Sequence, residues 1–242
     1  MDKQRALVAS LTAGVAAHLG NKDWARMLVA STGKAITPRA PMSVQEPGQE
    51  HEFARQVYLV VDCSNSMSRK NKMQQARRGA LEFTREAQAK GYRVGLISFA
   101  CAASLCLKAT QEELASIRET LAWLKAGHGS TNMAAGIRMA REQLADEQSE
   151  RVMCIVTDGQ PDSDKAALYE AEQAKEAGIE IMTVGTDDAD KAFLEQLASR
   201  HQLSAKVASH ELEQGMVAMA KMLPMLPAPR RIGTPTLRLP QL

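Results

Sequence analysis

Val57-Tyr58-Leu59-Val60-Val61-Asp62-Cys63-Ser64-Asn65-Ser66 decides the reading of this chain. An unbroken apolar run of this length suits a strand buried on both faces, as in the middle of a parallel sheet. The run ends on Asp-x-Ser-x-Ser, so the strand delivers three side-chain oxygens to the loop at its carboxyl end. Two more oxygen-bearing segments sit at the ends of other candidate elements: Gly129-Ser130-Thr131-Asn132 before a helical pattern, and Thr157-Asp158-Gly159 after an apolar run. Hard divalent cations take oxygen ligands, and Mg²⁺ keeps several waters while binding only one or two carboxylates. Together the three segments read as a divalent-metal site at the top of an α/β sheet.

Around that stretch, strand and helix signals alternate. Short, β-branched strands are expected over residues 57–62, 93–99, 104–107, 151–157, 180–184 and 205–207. Between them, apolar residues recur at spacings of three and four: Met73, Ala76, Ala80, Phe83 and Ala87; Leu114, Ile117, Leu121 and Leu124; Met133, Ile137, Ala140 and Leu144; Leu212, Met216, Met219 and Leu223. Gly91 and Gly178 stand where helix C-caps belong. The alternation predicts a Rossmann-like, doubly wound α/β fold: a mostly parallel six-stranded sheet with helices on both faces. Residues 104–107 follow the second strand so closely that they are expected to return as one antiparallel edge strand.

This core domain is expected over residues 54–223. Residues 1–36 read as a helical extension, broken at Gly20-Asn21-Lys22-Asp23, and residues 37–53, with Pro38, Pro41 and Pro47, as an extended linker. Residues 224–242 form a basic, proline-rich tail with Arg230, Arg231 and Arg238, expected to be solvated or to order against a partner. Lys3 and Arg5 precede a mildly apolar stretch, but Ser10, Thr12 and Gly14 interrupt it, and Leu7, Leu11 and Val15 share one helical face. A helix is expected there rather than a secretory leader. No apolar run is long enough to cross a bilayer.

At 242 residues with a net charge of +2, the chain can bury one sizeable core and carries no charge excess that favours nucleic acid or anionic membrane. Aromatic residues make up 4%, too few for base-stacking platforms. Cys63, Cys101, Cys106 and Cys154 lack zinc-ligand spacing and read as reduced thiols of a cytoplasmic protein.

In an open parallel sheet, ligands bind outside the carboxyl ends of the strands, where strand order reverses. Asp62 ends the first strand, Asp158 follows the fourth, and Thr131 enters from a third loop. Two carboxylates and three hydroxyls, topped up by water, fill most of an octahedron around Mg²⁺ or Mn²⁺. A carboxylate from another molecule would complete it. Residues 54–223 resemble a von Willebrand factor A (VWA, integrin I-like) domain, and Asp62, Ser64, Ser66, Thr131 and Asp158 match the five positions of that family's metal-ion-dependent adhesion site in order. The resemblance implies a non-catalytic protein-binding module whose partner supplies an Asp or Glu. It also implies an intracellular, bacterial adaptor setting, with a MoxR-type AAA+ ATPase or a stress- or defence-related complex as partner.

Two other functions compete with that reading. A metal-dependent phosphohydrolase or phosphotransferase also begins with a carboxylate-bound Mg²⁺ after a strand. Such a site needs a nucleophile or base and a cation for the phosphate, and no second Asp stands at Ser64. An adaptor for nucleic-acid-handling machinery would need accessory binding domains for which this chain has no room. Other residues near the site have ordinary readings. Cys63 is a spacer between ligand positions rather than an activated thiol. His128 is a loop histidine. Arg69, Lys70 and Lys72 are either a solvated helix start or a patch that attracts an acidic partner. Asp187, Asp188 and Asp190, like Asp162 and Asp164, are expected at helix N-termini rather than at a second metal. Asp62 and Thr131 are expected to point away from the core, so that replacing either spares the fold.

Overall fold

The structure is a computed structural model that describes residues 55–127, 129–146, 149–186 and 189–225. The extension, the linker, the tail beyond Met225, and His128, Asp187 and Asp188 lie outside the described residues.

Six strands form one sheet in the order β3-β2-β1-β4-β5-β6. They are β1 (Arg55–Asp62), β2 (Tyr92–Phe99), β3 (Ala103–Thr110), β4 (Glu150–Thr157), β5 (Glu180–Thr186) and β6 (Ser204–Val207). β1 pairs in parallel with both β2 and β4, and β4, β5 and β6 continue in parallel. β3 alone runs antiparallel, against β2, with register shifts around Leu96. Every expected strand is present. Each is one to four residues longer than expected, most of all the third, whose residues 108–110 carry side chains that suit an edge strand as well as a loop. Tyr58 secures that edge: a Cβ on Gly95 would come within 2.2 Å of its ring, so the ring lies flat over the glycine. Its hydroxyl accepts the Ala109 N–H at 3.0 Å, a donor that would otherwise lack a partner at the bulged register.

The helices are α1 (Lys72–Ala89), α2 (Leu114–Ala122), α3 (Met133–Gln143), α4 (Asp164–Glu176), α5 (Lys191–Leu197) and α6 (Leu212–Met222). Alternation along β1 sends Val57, Leu59 and Val61 to one face and Tyr58 and Val60 to the other, and each face has its own core. The first core takes the stripes of α1 and α6, with Met73, Ala76, Phe83, Leu212 and Met216, together with Ile117 and Leu121 of α2. α1 and α6 approach so closely that a Cβ on Gly79 would meet Met216 Sδ at 2.6 Å. The second core takes Met133 and Ile137 of α3, Ala167, Ala171 and Ala174 of α4, and Phe193 and Leu197 of α5. α4 and α5 show no strong periodicity in the sequence. The buried stripe of α4 is mainly alanine, and α5 is barely two turns long. Gly91 and Gly178 adopt φ of +84° and +76° directly after α1 and α4, the left-handed cap a glycine tolerates.

Arg55, at the start of β1, donates to Pro224 O at 2.8 Å and pairs with Glu150 at 3.0 Å. The first tail residues are therefore held against the sheet, two residues beyond the expected domain boundary. At the opposite, carboxyl end, strand order reverses between β1 and β4, and the loops after these strands face each other across that point.

Candidate metal centre

The loop after β1 folds back immediately. Asp62 Oδ1 accepts the Ser64 N–H at 2.8 Å, and residues 65–68 form a single 3₁₀ turn. This turn brings Ser64 Oγ and Ser66 Oγ to 3.0 Å from each other. From the neighbouring strand, Asp158 Oδ1 accepts the Ser66 hydroxyl at 2.6 Å. Asp62, Ser64, Ser66 and Asp158 thus form one connected set, three of them buried and Ser66 partly open.

The loop that carries Thr131 is held beside this set through its backbone, with no direct hydrogen bond between the Thr131 hydroxyl and the other four side chains among the described residues. Asp162 Oδ1 accepts the Thr131 N–H at 2.9 Å, and the Asp162 N–H donates to Thr131 O at 3.0 Å. Asn132 N donates to Ala100 O at 2.7 Å and Asn65 N to Gly129 O at 3.4 Å, so the loop is tied both to the end of β2 and to the Ser64–Ser66 turn. The Asn132 side chain then caps α3 by accepting from Ala135 N.

The donor set suits a small hard cation. Adjacent oxygens around an octahedral ion with bonds of about 2.0–2.1 Å lie about 2.9 Å apart, which is the spacing of the two serine hydroxyls. Among the described residues no three His, Cys, Asp or Glu side chains cluster as a metal group would. The candidate site is instead rich in hydroxyls, with only two carboxylates.

Three residues with roles here escaped the sequence reading. Thr157 donates its hydroxyl to Asp62 Oδ2 at 2.7 Å, so both Asp62 oxygens are fixed by the protein. Asp162 precedes the N-cap of α4, which is Ser163, and clamps the Thr131 loop rather than the helix end. Lys72 departs most from expectation. It is neither solvated nor available at the surface: it is 2% exposed, and Nζ donates to Asp158 Oδ2 at 2.6 Å. Arg69 and Lys70 are exposed, as a solvated helix start requires. Lys72 lies four residues before Ala76, in phase with the buried stripe Ala76, Ala80, Phe83 and Ala87, and that spacing is the signal that could have found it. Asp190 does cap α5, through Ala192 N at 2.8 Å, and Asp164 lies in the first turn of α4.

Burial raises the Asp62 carboxyl above the usual carboxylate range. The Ser64 and Thr157 donors oppose that rise, and the Asp158 charge adds to it. Asp62 is fully buried, because the strand carrying it is central and covered on both faces, and both its oxygens are held by the protein. Burial pushes the Cys63 thiol up to about 12, which agrees with a spacer rather than a nucleophile. Beside the site, Cys63, Phe99, Ala100, Cys101, Cys106 and Trp123 line an open cleft of about 1110 Å³.

The von Willebrand factor type A domain family model matches residues 56–216, about two thirds of the chain. The chain belongs to this family of protein-interaction and adhesion modules. No curated protein sequence matches it significantly. Among solved structures, it is similar to the pilus adhesin SpaC from Lactobacillus rhamnosus GG, at 20% identity and a TM-score of 0.59, over 72% of this chain and 31% of that one. It is also similar to proximal thread matrix protein 1 from the mussel byssus, whose adhesion-site motif is occupied by zinc. That match has 16% identity and a TM-score of 0.62, over 69% of this chain and 47% of that one. BatB from Bacteroides thetaiotaomicron, a conserved hypothetical protein, aligns over its full length and 69% of this chain, at 20% identity and a TM-score of 0.57. The chain thus spans about a third to a half of the first two. Likeness at this level concerns the fold. Among the described residues, no helix is long and apolar enough to cross a membrane.

Proposed function

We propose that this protein binds a partner protein through a divalent ion held by Asp62, Ser64, Ser66, Thr131 and Asp158. The observation that carries the reading is the 3.0 Å spacing of the two serine hydroxyls between two buried carboxylates from adjacent strands. Ser64 and Ser66 would supply neighbouring ligands and Asp62 a carboxylate, with Thr157 and the Ser64 N–H fixing its orientation. Asp158 would act across the Ser66 hydroxyl, and Thr131 would close the set from the third loop. Mg²⁺ is the ion this donor set favours, with Mn²⁺ a close substitute, since hydroxyl and carboxylate oxygens suit both. The bound ion would offer an open coordination position to an Asp or Glu of the partner. The zinc-occupied motif of the mussel protein supports a divalent ion at this position of the fold.

A cytoplasmic adaptor working with a MoxR-type AAA+ ATPase or a bacterial stress or defence complex remains the setting that the family resemblance suggests. Direct nucleic-acid and membrane binding form no part of this reading, which the near-neutral charge supports.

Catalysis is not proposed. The site does contain the lysine that a phosphotransferase needs, but Lys72 is buried and engaged by Asp158 rather than open to a phosphate. Calorimetric titration with Mg²⁺ tests the central reading. The wild type is expected to bind one ion and Thr131→Ala to bind at least about tenfold more weakly, with the captured partner released by chelator. Equal heats from both proteins, or capture that survives EDTA, would overturn it.

A further inference from the structure

Lys72 is placed with some effort. The two residues before it, Lys70 and Asn71, adopt φ of +52° and +58°, consecutive left-handed conformations of which the lysine's is the costly one, since asparagine tolerates that region. The chain then enters α1 with Lys72 on its buried stripe, and the ammonium reaches Asp158 Oδ2 at 2.6 Å. A lysine needed only for solubility would sit on the outer face of this helix, as Arg78 does. Here a strained turn carries a full positive charge to one of the two carboxylates proposed to hold the ion.

The charges decide what this does. Asp62, Asp158 and Lys72 together sum to a formal −1, where the two carboxylates alone would sum to −2. Adding a divalent ion brings these three side chains and the ion to +1 rather than to zero, with the Asp162 carboxylate, exposed and screened by solvent, outside the sum. One carboxylate from a partner then neutralises it. Without the lysine, the ion would complete neutralisation by itself and the partner's carboxylate would arrive as an excess charge. At low local dielectric such differences are large.

We infer that Lys72 is a resident cation that makes ion capture depend on the acidic ligand. Resting on the proposed metal reading, this inference assigns Lys72 a positioning and selective role toward the partner's acid. Lys72 opposes the ion when the ion arrives alone and favours the acid once the ion is present, so ion and acid bind cooperatively. Linkage makes the effect reciprocal: the acid tightens the ion by the factor that the ion tightens the acid.

The test uses the full chain and Mn²⁺, followed by paramagnetic resonance of the free ion. Titrations are run alone, with a blocked Gly-Glu-Gly peptide, and with its Gly-Gln-Gly counterpart. In the wild type the Glu peptide is expected to tighten Mn²⁺ by about tenfold or more and the Gln peptide to leave it unchanged. Lys72→Met is expected to bind Mn²⁺ alone about tenfold or more tightly than wild type, with the peptide effect reduced to threefold or less. Lys72→Arg, which keeps the charge, retains the peptide effect. A lysine serving only to pin α1 to β4 would move the melting temperature but not this coupling. Should Lys72→Met fail to fold, the wild-type peptide effect and Lys72→Arg decide. Equal Mn²⁺ affinity and equal peptide effect in wild type and Lys72→Met would overturn the inference while leaving the metal reading intact. So would a wild type that binds Mn²⁺ indifferently to the Glu peptide, or one that binds no Mn²⁺ even with the Glu peptide present under conditions where Lys72→Met does. Binding by neither protein, at the background of Asp62→Ala, would overturn both.

Discussion

Where β1 meets β4, side chains hold side chains. Thr157 grips Asp62, Ser66 grips Asp158, and Lys72 grips Asp158 from behind, all at 2.6–2.7 Å and nearly all out of solvent. Across the site, the loop at residues 129–132 is held mainly through its backbone, by Ala100 O, by Asp162 and by Asn65 N. Mutation should therefore separate two properties that coincide in a simple picture of a metal site. On the β1–β4 side the ion-binding groups also bear on stability, whereas Thr131 can lose its hydroxyl with its backbone contacts intact.

The largest effect expected from this contrast is at Asp158. Asp158→Ala takes a carboxylate away from the buried Lys72 ammonium, and removing one partner of a buried pair costs about 3–5 kcal/mol. Urea unfolding should show that loss, and Asp158→Ala combined with Lys72→Met should recover much of it. A single mutant within about 1 kcal/mol of wild type would break the comparison.

Next comes Asp62→Ala, which strands the Ser64 N–H and the Thr157 hydroxyl at a cost of about 1–3 kcal/mol. Thr131→Ala should stay within about 0.5 kcal/mol of wild type in the same denaturation experiment. Both are expected to lose Mg²⁺-dependent capture. Equal stability losses in the two would show that the Thr131 loop is as integral to the fold as β1.

The smallest effects concern thiols and pH. Cys101 is exposed, and the Ser130 N–H beside it lowers its pKa, so maleimide labelling at neutral pH should find it before Cys63 or Cys154. Burial raises Cys154 from its ordinary 9.0 to about 12. A group raised on folding stabilises the native state below its unfolded pKa and loses that contribution as pH climbs through the folded value. Stability should therefore fall between pH 9.0 and about 12, and Cys154→Ala should flatten that part of the curve.

How much could be read from the residues follows the same division. β1 and β4 were legible because they are continuous apolar runs, and their position at the reversal of strand order placed Asp62 and Asp158 together. Ser64 and Ser66 came with the motif. Lys72 was missed as a buried group, because Arg69 and Lys70 beside it make the segment look uniformly solvated and mask its phase with Ala76 and Ala80. Its inward turn depends on two left-handed residues that composition does not announce. Asp162 was assigned to the wrong neighbour for a related reason: its partner Thr131 lies thirty-one positions away. α4 escaped because alanines carry little amphipathic contrast, although with Glu170 they make up its buried stripe.

Crystals of the full chain soaked in Mn²⁺ and measured for anomalous scattering bear directly on whether these oxygens gather around an ion. One peak is expected, within about 2.5 Å of the Ser64 and Ser66 hydroxyls and of an Asp62 oxygen, with Thr131 facing it. A map without a peak there, at an ion concentration that fills other sites on the protein, would contradict the proposed metal centre.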